Sequence, residues 1–198
     1  MRIGPVATLF DDPTDLPAWV ARVSAVTSSN DIALATAVIF AFSCWRAAHP
    51  EILPPSLASL MSGLVDPRIW KDCLRAHFIM CTEDEQALLE FAKSTGYSNK
   101  PLDCAANGFA LTGIPWVVYH GLKAQTFEEG LVAACSNGGD TDTICAMVGC
   151  LMALRLGREA IPMWMINDLS GLCHLEDPTL WHPVQSEAAA LQEAILRE

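Results

Sequence analysis

The chain has 198 residues, with 52% hydrophobic and 18% charged side chains and a formal net charge of −11. That length fits one domain with a sizeable core. The acidic balance excludes a nucleic-acid-binding protein, which needs a basic footprint for phosphates.

Helical signals dominate in chain order. Asp15 is placed to cap a helix with Pro17 in its first turn, running through Trp19, Val20 and Val23. Asp31 opens a longer helix in which Ile32, Ala35, Val38, Ile39, Phe42 and Trp45 recur at three-to-four spacing, ended by His49-Pro50. Ser56 to Val65 predicts a short helix, and Arg68 to Cys81 another. Thr82-Glu83-Asp84-Glu85 starts a helix to Lys93 with Gly96 as its stop, the acidic cluster reading as first-turn charge.

Tyr97 to Pro101 reads as a loop. In Ala105 to Leu122, the run Trp116-Val117-Val118-Tyr119 has strand propensity on pattern alone. Thr126-x-x-Glu129 is a capping box for a helix to about Cys135. Asp140 or Thr141 begins the next, to Leu156 with Gly157 behind it, and Pro183 to Leu196 is amphipathic. Little is left for a sheet, so the expected fold class is all-α, a multi-helix bundle in a single domain.

The apolar run from Ile32 to Trp45 falls short of the ~18 residues that cross a bilayer. Asp11, Asp12 and Asp15 interrupt any signal-peptide core. No membrane partner and a cytoplasmic location are therefore expected. Eight cysteines without a Cys-x-x-Cys pair read as reduced, buried small residues. The mean hydropathy of +0.28 fits either a helical bundle or an uncovered face.

The chemistry concentrates in Ser136-Asn137-Gly138-Gly139-Asp140-Thr141-Asp142-Thr143. Gly138 and Gly139 open backbone angles closed to other residues and let a ligand approach the main chain. Asp140, Asp142 and Thr143 then place oxygens at a helix mouth, a donor set suited to a hard divalent cation such as Mg²⁺ rather than zinc. Simple N-capping is the alternative for the same aspartates. Six tryptophans and five histidines show no ligand spacing. Trp116 is the one weak candidate for stacking on a base, against core packing.

The run from Phe127 (Phe-Glu-Glu-Gly-Leu), through Gly-Gly-Asp-Thr-Asp-Thr, to Ile161-Pro162 and Trp164 resembles the C-terminal signature of the ADP-ribosylglycohydrolase family. Met1 to Pro5 resembles the end of that family's Asn-Gly-Ser/Ala-Met-Arg loop. Ser29-Asn30-Asp31 resembles its Thr-His-Asn-Asp helix entry, with Ser29 where the family usually has histidine. The resemblance implies that Trp116 to Tyr119 lies in a buried helix. It implies hydrolysis of the glycosidic bond between ADP-ribose and a protein side chain or related acceptor.

It also implies Asp140, Asp142 and Thr143 as ligands of Mg²⁺, replaceable by Mn²⁺, and Gly138, Gly139, Ser29 and Asn30 against the substrate. ADP-ribosylated protein or an ADP-ribose derivative is then the partner. The family's upstream Gly-Asp-Ala-Leu-Gly and Thr-Asp-Asp-Thr motifs have no match, so the chain is expected to start inside the family's domain, with no catalytic acid or base assignable. Weak or single metal binding follows as an expectation. The alternatives are a non-catalytic binding module or one half of a split enzyme, as a homo-oligomer or with a complementing chain.

Overall fold

A computed structural model describes residues 3–52, 61 and 63–165 of the chain. Among the described residues there are eight α-helices, one short 3-10 turn and no strand. They are α1 (Ile3–Ala7), α2 (Leu16–Ala25), α3 (Asp31–Ala48), α4 (Pro67–Met80), α5 (Glu85–Thr95), α6 (Ala110–Lys123), α7 (Phe127–Ser136) and α8 (Thr141–Leu156). The all-α expectation holds. The expected helices at Ser56 to Val65 and Pro183 to Leu196 lie mostly or wholly outside the described residues.

Helix starts follow the sequence closely because polar side chains satisfy the first free amides. Asn30 accepts from the Ala33 N–H at 2.8 Å, and Asp66 accepts from Arg68 at 2.8 Å ahead of Pro67. Asp84 accepts from Ala87 at 2.8 Å. Thr126 accepts from Glu129 at 3.1 Å, while the Glu129 carboxylate reaches back to the Gln125 N–H at 2.8 Å. Gly96 closes α5 in the left-handed region.

α6 is the central element, packed against α3, α4, α5, α7 and α8. Leu111, Thr112, Trp116, Val117 and Val118 are all buried, so this helix is apolar nearly all round and loses the one-sided periodicity of a surface helix. That is why its pattern also fits a strand. Burial of β-branched and aromatic side chains raises strand propensity without deciding the backbone. α6 begins only at Ala110, five residues later than the start of the expected apolar stretch. At Gly121 a Cβ would sit 2.8 Å from the Leu151 side chain, so glycine there lets α6 and α8 close on one another.

α3 supplies the other half of the core, with Val38, Phe40, Ala41, Cys44 and Trp45 buried. Its Trp45 indole N–H donates to the Phe10 carbonyl at 2.9 Å, holding the α1–α2 link against it. At 18 residues and mean hydropathy 1.4, α3 is long and apolar enough to cross a membrane by those measures alone. It is longer than the run read from the sequence, because Asp31 and Arg46-Ala47-Ala48 join it.

The cysteines depart from expectation. Among the described residues Cys44 and Cys73 are buried, but Cys81 and Cys135 are exposed and Cys104, Cys145 and Cys150 are half-buried, all as free thiols. Trp116 is core, fully buried as the packing alternative required.

Candidate functional site

α7 and α8 are joined by a four-residue reversal, 137–140. Gly138 and Gly139 adopt φ of +77° and +74°, consecutive left-handed angles that turn the chain back within that length. Gly138 faces open space. Gly139 does not: a Cβ there would overlap the Ala106 carbonyl oxygen and lie 2.7 Å from Cys104 Sγ. The same carbonyl accepts the Asp140 N–H at 3.0 Å. The turn therefore rests on the 104–109 loop.

Asn107 shapes that loop. Its amide donates to the Cys104 carbonyl, and its carbonyl oxygen accepts from the Phe109 N–H at 2.7 Å and the Thr112 hydroxyl at 3.1 Å. No spacing in the sequence marks Asn107, because its partners lie within one irregular turn.

Asp140 is the N-terminal flanking residue of α8, yet its side chain makes no capping bond to the helix. One carboxylate oxygen instead lies 3.1 Å from where a Gly108 Cβ would stand. Asp142 accepts from the Thr143 N–H at 2.8 Å. That bond, and after it the neighbouring Asp140 side chain, holds the Asp142 carboxyl below its usual pKa. The two carboxylates thus share one small exposed region at the positive end of the α8 dipole. Capping, the alternative for these aspartates, accounts for one oxygen of Asp142 and for none of Asp140.

Behind the turn a second network fixes its entry. Glu85, at the first position of α5, accepts from the Trp116 indole N–H at 2.9 Å and from the Asn137 amide at 3.3 Å. The sequence places Glu85 in a helix's first turn but does not reveal that it bridges α6 to the α7–α8 turn. His120 stacks on Trp116 at 3.9 Å between ring centroids, with its Nε2 3.8 Å from Glu85. Burial pushes the His120 pKa down, outweighing the upward pull of Glu85. Neutral imidazole is thus favoured, and the contact is not an ion pair near neutral pH.

His77 in α4 is depressed for the same reason, desolvation alone. For both rings the unfolded chain takes up protons first, as pH falls through the ordinary 6.5. Stability is therefore held above that pH and declines below it, down to the folded-state values. Urea midpoints measured between about pH 7.5 and about pH 5.5, a window above most carboxylates, should fall with pH. They should fall less steeply in His77→Gln. A flat profile for the wild type would refute the assignment.

Ser29 and Asn30 are both exposed. Asn30 caps α3 and donates to the Ser28 hydroxyl at 3.3 Å. Asp31 reaches away, accepting the Asp66 N–H at 2.9 Å. Among the described residues no hydrogen bond joins Ser29 or Asn30 to the acidic turn. Their neighbours Thr27 and Ser28 line a cavity of about 180 Å³ together with Thr36 of α3, Ala110 of α6 and Met147 of α8. A more polar hollow of about 360 Å³ is bounded by residues 97–102 and 107–109. Gly108 belongs to its wall and also abuts Asp140, so the hollow opens beside the acidic turn.

The sequence profile of the ADP-ribosylglycohydrolase family matches residues 1–195. This chain belongs to the ADP-ribosylglycohydrolase family. No curated protein and no solved structure gives a match. In this member of the family the turn at 137–143 joins two helices packed directly on one another and on α6. Membership supports an ADP-ribosylglycohydrolase-like function in general.

Proposed function

We propose that the chain hydrolyses the glycosidic bond between ADP-ribose and a protein side chain or related acceptor, with Asp140, Asp142 and Thr143 as a cation site. The observation that carries this reading is the Asp140 carboxylate, kept off its own helix and set between Gly108 and Asp142.

The donors present are all oxygen, which suits Mg²⁺ or Mn²⁺. They suit one ion with water completing its shell: among the described residues no group of three or more acidic, histidine or cysteine side chains is gathered. Mg²⁺ held there would anchor ribose hydroxyls and acidify a bound water. The chain's own residues do the rest. Gly138, which faces open space, lets the ribose approach the main chain, and Asp140 accepts a proton from the attacking water. The hollow at 97–102 and 107–109 takes the anionic part of the substrate. Lys100 in its wall supplies local positive charge to a protein of net charge −11. Among the described residues the seven cysteines are all free thiols, which favours a reducing compartment, and we place the activity in the cytoplasm.

A second reading, binding without turnover, is favoured by the same two-carboxylate count. The two separate on one assay: release of free ADP-ribose from ADP-ribosylated protein with Mg²⁺, and with EDTA in its place. Hydrolysis predicts release with Mg²⁺ and none with EDTA. Retention of intact ADP-ribosylated protein on the chain, without release in either condition, would overturn hydrolysis in favour of binding.

A further inference from the structure

We infer that Cys135 and Cys145 form a reversible disulfide that staples α7 to α8 across the acidic turn. Cys135 lies in the last turn of α7 and Cys145 in the second turn of α8, and their sulfurs are 3.4 Å apart. That is already within contact distance for two sulfurs. A bond needs them about 1.4 Å closer, a shift of the order side-chain rotation supplies. Between them in the chain lie Gly138, Gly139, Asp140, Asp142 and Thr143, so the covalent ring would contain the acidic turn with its proposed cation ligands.

The two thiols have different surroundings, which orders the chemistry. Cys135 is exposed and Cys145 half-buried. Attack therefore begins at Cys135. Its thiolate attacks one sulfur of a low-molecular-weight disulfide, that S–S bond breaks and one thiolate leaves. Cys145, losing its proton, then attacks Cys135 Sγ and expels the second thiolate. Two protein thiols are oxidised by two electrons, and one small disulfide is reduced to two thiols.

The consequence is mechanical. The C-terminal turn of α7 can no longer move independently of α8, so the two left-handed glycines lose freedom. The bond itself does not depend on the hydrolase reading; only an effect on catalysis does.

The test uses the full chain treated with oxidised glutathione and digested with a protease that cleaves before aspartate. Cuts before Asp140 and Asp142 put Cys135 and Cys145 on different peptides. The expected result is a linked pair of peptides joined through Cys135 and Cys145. It should disappear on reduction and fail to form in Cys135→Ser and Cys145→Ser. Amide exchange at 137–143 should slow in the oxidised wild type and not in identically treated Cys145→Ser. Recovery of Cys135 only as its glutathione adduct with Cys145 still a free thiol would overturn the pair. So would a linked pair with unchanged exchange, which would remove the staple. Both readouts stand whether or not the chain releases ADP-ribose.

Discussion

Gly139→Ala is expected to destabilise the fold by about 3 kcal/mol or more, against about 1 kcal/mol for Gly138→Ala. Both glycines hold left-handed φ angles, +77° and +74°, so both substitutions incur the same backbone strain. Only at 139 is there also no room. The new methyl would overlap the Ala106 carbonyl oxygen, which cannot retreat without giving up the Asp140 N–H it accepts at 3.0 Å. Nor can the carbonyl move with its neighbours, since Asn107 ties Cys104, Phe109 and Thr112 together around it. Overpacking against a fixed backbone atom then adds to the strain. Urea denaturation of the three proteins, read at equal m-value, decides the matter. Equal losses at 138 and 139 would mean that the 104–109 loop yields, and that the acidic turn is not seated on it.

The contrast between those two glycines marks how far the sequence can be read. Paired glycines before an aspartate announce a tight reversal, because few other residues accept φ above zero. Which of the two carries a tertiary contact depends on a carbonyl more than thirty residues away. The same division runs through the molecule. Asn30, Asp84 and Thr126 are legible as caps because a cap bonds two or three residues along its own chain. Glu85 sits in the same kind of acidic first turn, yet its carboxylate joins Trp116 to Asn137. No local pattern encodes that.

α6 hid its helix for a related reason. Burial on every side replaces a periodic stripe with a uniform apolar run, and the value of Trp116 to the core swamps its propensity. The cysteines went the other way. Apolar neighbours in sequence suggested burial, but Cys135 faces solvent at a helix end while Ala134 beside it is fully buried. Ser29 and Asn30 lie near the small cavity under α3 in sequence, but their visible bonds serve the helix entry. A ligand contact for them rests on family likeness alone.

On the proposed reading, Asp140→Asn should weaken the Mg²⁺ dependence of ADP-ribose release by about a hundredfold or more, since a directly held cation loses more than the 10–100-fold typical of an outer partner. The fold should scarcely notice, within about 0.5 kcal/mol. Asparagine keeps the shape of the side chain beside Gly108, the bond to Ala106 comes from the backbone, and no capping bond is lost. Asp142→Asn is the informative comparison. Its amide oxygen can still accept the Thr143 N–H, but that bond is no longer charge-assisted, so stability should fall more than at 140, where no such bond is made, while Mg²⁺ response weakens less. Calorimetric titration with Mg²⁺ reads affinity and stoichiometry together, with one ion per chain expected. Should Asp140→Asn bind Mg²⁺ as the wild type does, the unused carboxylate would not be a cation anchor. The acidic turn would then be a helix entry whose charge serves only the α8 dipole, and the binding-module reading would take precedence.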